Sequence, residues 1–217
     1  MKSLRSIRSF AGLTFVIALL VLVVGAGNSA FAASDSWNLD ATTGSWVTTS
    51  SWTLNNGTVP GSTTADSSDV ATFSKTLTAA DAITVDATRY IGGISFGNTT
   101  GNGYTLQTGT LHLNSGGTIQ SVSADGAHTE TISSPVVIDG TTTATATFGS
   151  NPTTAANGVL SFGAVTGSAT ASTTTALTLN GTGTGANTIA GAIANGAGGR
   201  SIHHQERGRN VGLVRKQ

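Results

Sequence analysis

The 217-residue chain contains no cysteine. No disulfide can staple it, no thiolate can hold a metal, and no cysteine can serve as a nucleophile. A chain without staples needs a continuous core or stacked repeats. Charge is also scarce, at 9% of residues. Between 33 and 199 the only bases are Lys75 and Arg89. Against them stand Asp35, Asp40, Asp66, Asp69, Asp81, Asp86, Asp125, Glu130 and Asp139, so this body is acidic. It has no basic stripe to neutralise phosphates, which argues against a nucleic-acid partner. No window in it offers a charged amphipathic helix of three turns.

Several chemical motifs are absent as well. There is no Gly-x-Ser-x-Gly and no serine set beside a general base. The EF-hand spacing and the calcium-binding Gly-rich nonapeptide do not occur. Gly181-Thr182-Gly183-Thr184-Gly185 lacks the Lys-Ser/Thr ending of a phosphate loop and reads as a turn.

What is present begins with a leader. Lys2, Arg5 and Arg8 precede an uncharged stretch from Phe10 to Ala26, and Ala30-Phe31-Ala32 supplies a small-x-small cleavage site. This is the anatomy of a secretory signal peptide over 1–32. The strongly apolar run Leu13 to Val24 falls short of the roughly 20 residues a membrane-spanning helix needs. The rest of the chain is therefore expected to be secreted or held at the cell surface. It meets the membrane only through the transient signal peptide.

The body, 33–199, is rich in Thr, Gly, Ser and Ala, which favour strands and turns over helices. Short alternating segments recur: Val70 to Phe73, Ile83 to Val85, Ile91 to Phe96, Tyr104 to Leu106, Leu111 to Leu113, Thr131 to Ile138, Ala144 to Phe148, Gly158 to Val165 and Ala176 to Leu179. Turn formers separate them at Asn98 to Gly103, Gly116-Gly117, Asp139-Gly140, Asn151-Pro152 and Asn180-Gly181. Crossover helices are missing, so the expectation is all-β. A right-handed parallel β-helix or β-solenoid is favoured, in which small Thr and Ser side chains stack in rows. A β-sandwich is the alternative, since period-two strands fit both.

Trp37, Trp46, Trp52 and Pro60 lead into Asp69-Val70-Ala71-Thr72-Phe73, then Ile83-Thr84-Val85-Asp86, then Ile91-Gly92-Gly93-Ile94-Ser95-Phe96-Gly97-Asn98. This order resembles the opening of bacterial autotransporter-associated β-strand repeat proteins. Tyr104-Thr105-Leu106, Leu177 to Gly181 and Asn187 to Ile193 are similar to later parts of that family, so the likeness spans roughly 35–199. It implies an extracellular passenger with a structural or adhesive role, and no shared catalytic residues. No alternating membrane-strand region follows 199 to form the barrel that some family members carry.

The composition changes at Arg200. Residues 200–217 carry Arg200, Arg207, Arg209, Arg215 and Lys216 against Glu206. This tail reads as a basic, disordered linker, as a weak metal-binding pair at His203-His204, or as a frameshift. The degenerate codons of Ser201 to Lys216, read one nucleotide later, permit a Gly/Thr-rich string that alternates like a strand. The frameshift reading is preferred, and the gene sequence tests it.

The candidate chemistry is thin. Asp66, Asp69, Asp81 and Asp86 sit beside turns, where Asp satisfies backbone amides. His112 alternates with Leu111 and Leu113 and should face away from them. His128, near Asp125 and Glu130, reads as a residue of a solvated loop. The aromatic residues of the first half read as a cap on the first repeat, or as a platform for stacking sugars. No catalytic, cofactor-binding or metal-ligating residue is assigned. The expected function is non-catalytic, structural or adhesive, with cell-surface or matrix glycans as candidate partners. The alternative is a secreted glycan-binding or glycan-cleaving protein, which would bring Asp81, Asp86, Asp125, Glu130 and Asp139 together in a groove.

Overall fold

A computed structural model describes residues 34–53, 58–65, 67–99, 101–122, 128–151, 158–183, 185–196, 201–205 and 211–213. The chain divides into two units, Met1–Phe31 and Ala32–Gln217, and every described residue lies in the second. The expected signal peptide lies outside the described residues. Among the described residues no helix is long and apolar enough to cross a membrane.

The described chain is all-β apart from one 3-10 turn, Thr49–Ser51. The first strands are β1 (Asp35–Ser36), β2 (Thr43–Ser45), β3 (Val70–Phe73), β4 (Asp81–Phe96) and β5 (Tyr104–Ser121). They are followed by β6 (Thr129–Ile132), β7 (Val136–Ile138), β8 (Thr143–Ser150), β9 (Val159–Phe162), β10 (Val165–Thr166) and β11 (Thr174–Gly181). The last are β12 (Asn187–Ile189), β13 (Ile193–Ala194), β14 (Ser201–Gln205) and β15 (Val211–Leu213). β14 and β15 lie in the expected tail, and their backbones pair parallel with β11 and β12.

All the ladders between these strands are parallel. Two isolated bridges, Trp37 to Trp52 and Ser62 to Tyr90, are antiparallel. A sandwich built from antiparallel strands would pair otherwise. The pairing falls into three series. One joins β2, the start of β4, the start of β5, β6, β9, β12 and β15. A second joins the middle of β4, the middle of β5, β7, β10 and β13. The third joins β1, β3, the end of β4, the end of β5, β8, β11 and β14. Paired residues stand 23 positions apart at Val85 and Thr108, and 27 apart at Ser161 and Thr188.

Parallel pairing in register places like positions above one another, about 4.8 Å apart. The core is assembled from such rows. Ile83, Leu106, Ile132, Phe162 and Ile189 form one, and all five are buried. Ile94, Ile119, Phe148 and Leu179 form another, again buried. Neighbouring positions face outward and carry the small polar residues: Thr105, Thr131, Ser161 and Thr188 follow one another in register. Thr188 Oγ1 donates to Ser161 Oγ at 3.1 Å. Polar rows outside and apolar rows inside are what period-two Thr and Ile or Leu alternation produces on a pleated strand.

The expected turn at Gly116-Gly117 falls inside β5, where Gly116 takes φ +85° and bends the chain without ending the strand.

Candidate functional site

Six aromatic residues of the first half, Trp37, Trp46, Trp52, Phe73, Phe96 and Tyr104, form one buried cluster, and Tyr90 lies apart from it. Trp37 and Trp52 meet edge to face with centroids 5.1 Å apart, and Phe73 contacts Trp37, Trp46 and Trp52. Each indole is at most 1% exposed. Each indole N–H is satisfied: Trp37 by Asp81 Oδ2, Trp46 by the Pro60 carbonyl and Trp52 by the Trp46 carbonyl, all at 2.9 Å. Rings buried in this way present no face to a sugar, so the tryptophans are interior packing rather than a stacking platform.

The carboxylates divide into separate environments. Asp81, Tyr104 and Glu130 occupy successive positions of one row, because Asp81 pairs with Tyr104 and the Glu130 carboxylate accepts from Tyr104 N at 2.7 Å. All three are buried. Burial raises the Asp81 carboxyl above its ordinary range, opposed by the Trp37 hydrogen bond and reinforced by Asp40. Burial likewise raises Glu130, opposed by His128 and by the Tyr104 amide. Burial, with Glu130 and Asp81 nearby, pushes the Tyr104 phenol up. The phenol donates to the Lys75 carbonyl at 3.0 Å.

His128 differs from expectation. It is buried rather than in a solvated loop, and its Nε2 lies 3.0 Å from Glu130 Oε1. His128 immediately precedes β6, and Val159 N donates to its carbonyl, which draws it into the ladder. Asp81 is likewise interior rather than at a surface turn.

Asp86 holds Arg89 with two bonds, Nε to Oδ1 at 3.2 Å and Nη2 to Oδ2 at 2.7 Å. Arg89 is itself buried and also donates to the Gly61 carbonyl. Asp69 accepts from Gly61 N at 2.7 Å, as a turn-side Asp should. Asp66 and Asp125 lie outside the described residues. Of the five carboxylates that a cleavage site would bring together, Asp81 and Glu130 are neighbours through Tyr104, in the interior. Asp86 and Asp139 are each occupied elsewhere. Among the described residues no three His, Asp or Glu side chains are grouped to hold a metal.

The remaining cluster is open to solvent. Tyr90 and His112 are register partners on β4 and β5, and their rings lie 4.4 Å apart at 35°. Leu111 and Leu113 are buried while the His112 side chain is 21% exposed, so His112 faces away from them as the alternation predicted. Asp139, just after β7, places Oδ2 2.8 Å from His112 Nδ1. These three line a groove of about 660 Å³, together with Asn114, Ser115, Thr141, Thr143, Ser168 and Thr170. The leucines flanking His112 were the only signal of this site in the sequence. Its pairing with Tyr90 and Asp139 depends on register between distant segments.

No family model, curated protein or solved structure matches this chain.

Proposed function

We propose that this protein is an exported, non-catalytic structural or adhesive module, built as a right-handed parallel β-solenoid similar to autotransporter-associated passengers. The observation that carries the reading is the three-series parallel register, in which residues one step apart stack in rows. Repetition of that step gives a rigid surface with continuous polar rows, suited to display rather than to turnover. Export rests on the signal-peptide pattern of 1–32. The natural partners are cell-surface or extracellular-matrix glycans.

Glycan cleavage is the weaker reading. Hydrolysis by paired carboxylates requires two acids about 5–9.5 Å apart across a bound sugar. Asp81 and Glu130 are buried, with Tyr104 between them in the row. Asp139 is the only acid among the described residues that line the open groove.

N-terminal sequencing of the secreted protein tests export and should find a start near Ala33. Adhesion of the purified protein to cell surfaces, assayed beside hydrolysis of a polysaccharide panel, tests the role. Surface binding without hydrolysis is expected. Hydrolysis abolished by Asp139→Asn would replace this reading with an enzymatic one.

A further inference from the structure

We infer that the groove over Tyr90, His112 and Asp139 is a binding site for a neutral saccharide. This deepens the adhesive reading above and rests on it. The groove's size falls within the roughly 300–1,000 Å³ of small-ligand sites. The Tyr90 and His112 rings, on in-register strands, stack against one another at the groove with centroids 4.4 Å apart and planes tilted by 35°. Both rings are partly exposed, unlike the tryptophans. Their exposed parts give the groove an aromatic border against which the apolar C–H groups of a pyranose ring can pack.

Hydrogen-bonding groups flank that border in fixed positions. Asp139 Oδ2 holds His112 Nδ1 at 2.8 Å, which sets the imidazole plane. His112 Nε2 and Asp139 Oδ1 have no protein partner among the described residues. They offer the hydroxyls of a sugar one imidazole nitrogen and one carboxylate acceptor. Thr141, Thr143 and Thr170 add exposed hydroxyls.

The charge of the groove narrows the ligand class. No Lys or Arg is among its described lining residues, so nothing there would neutralise a phosphate, sulfate or uronate. A single carboxylate already engaged by His112 is a poor cation site. A neutral sugar, with hydroxyls that both donate and accept, matches this set. Because the groups are set on or beside parallel strands, little order needs to be gained on binding.

The test is a glycan array of neutral gluco-, galacto-, manno- and N-acetylglucosamine oligosaccharides, followed by calorimetry on the strongest binder. Tyr90→Ala should weaken binding at least about tenfold. Thr141→Trp, at an exposed position, should occlude the groove and abolish binding without loss of fold, checked by circular dichroism. Saccharide binding unchanged in both variants would overturn the inference. So would adhesion to cell surfaces with no neutral saccharide bound, which leaves the adhesive reading standing. If the protein binds neither saccharides nor surfaces, the inference and the adhesive reading both fall.

Discussion

Trp37 Nε1 donates a 2.9 Å hydrogen bond to Asp81 Oδ2 across 44 positions of the chain. Both side chains are buried, and Asp81 Oδ1 has no hydrogen-bond partner among the described residues. The indole is thus the donor that allows a carboxyl group inside the aromatic cluster. Trp37→Phe should destabilise the protein by about 3 kcal/mol, combining lost packing with an orphaned polar group. In an Asp81→Ala background the same change should cost less. Urea denaturation of the four proteins measures the coupling. Strict additivity would mean that the bond contributes nothing.

Asp81 and Glu130 are both raised by burial. A carboxyl raised on folding holds its proton more tightly in the native than in the unfolded state. Its contribution is therefore fully present below the unfolded value and is lost as pH rises through the folded one. The unfolded values are near 3.8 and 4.5. Stability should decline as pH rises above that range. Glu130→Gln keeps an acceptor for Tyr104 N and carries no charge to desolvate. It should flatten the decline and raise stability at neutral pH. Denaturation midpoints from about pH 4.5 to about pH 8 check both the slope and its loss.

Asp86 neutralises the buried Arg89 guanidinium. Removing one partner of a buried pair leaves an uncompensated charge, whereas replacing both can be nearly neutral. Asp86→Ala should cost about 3 kcal/mol. Adding Arg89→Met should recover most of it, as read from denaturation midpoints.

Gly109 lies where β5 turns between two of the ladder series. A Cβ there would come within 1.8 Å of the Asp86 carbonyl oxygen, while one at Gly101 would meet nothing within 4 Å. Gly109→Ala should therefore destabilise by about 3 kcal/mol or more, through backbone displacement. Gly101→Ala should stay within about 0.5 kcal/mol. Thermal unfolding of the two variants makes the comparison.

Local pattern was legible in the sequence, and long-range pairing was not. Val70 to Phe73 is a strand with the expected bounds. Ile83 to Val85 and Ile91 to Phe96 lie within the single strand β4, because its corners at Val85–Thr88 and Ile91–Gly93 are register shifts rather than turns. Alternation also placed His112 on the outer face. It could not place Tyr90 beside it or Asp139 against it, since the step between paired residues varies along the chain. Nor could it show that His128 and Glu130 are interior. A histidine and a glutamate close to Asp125 and Gly126 have the polarity of a solvated loop, and only the ladder to β9 draws them inward.

The stacked parallel register is the foundation of this account, and a chain without cysteine is suited to testing it. Paired cysteines at Thr131 and Ser161, and at Ser161 and Thr188, occupy adjacent register positions. Thr131 and Thr188 are two steps apart, roughly 10 Å at the usual strand spacing. A fluorogenic reagent with two thiol-reactive bromomethyl groups spanning about 5 Å, one strand spacing, should link both adjacent pairs as thioethers in the folded protein, releasing bromide. It should leave the Thr131→Cys/Thr188→Cys variant unlinked. Failure of the adjacent pairs, or equal linkage of the distant one, would contradict the account.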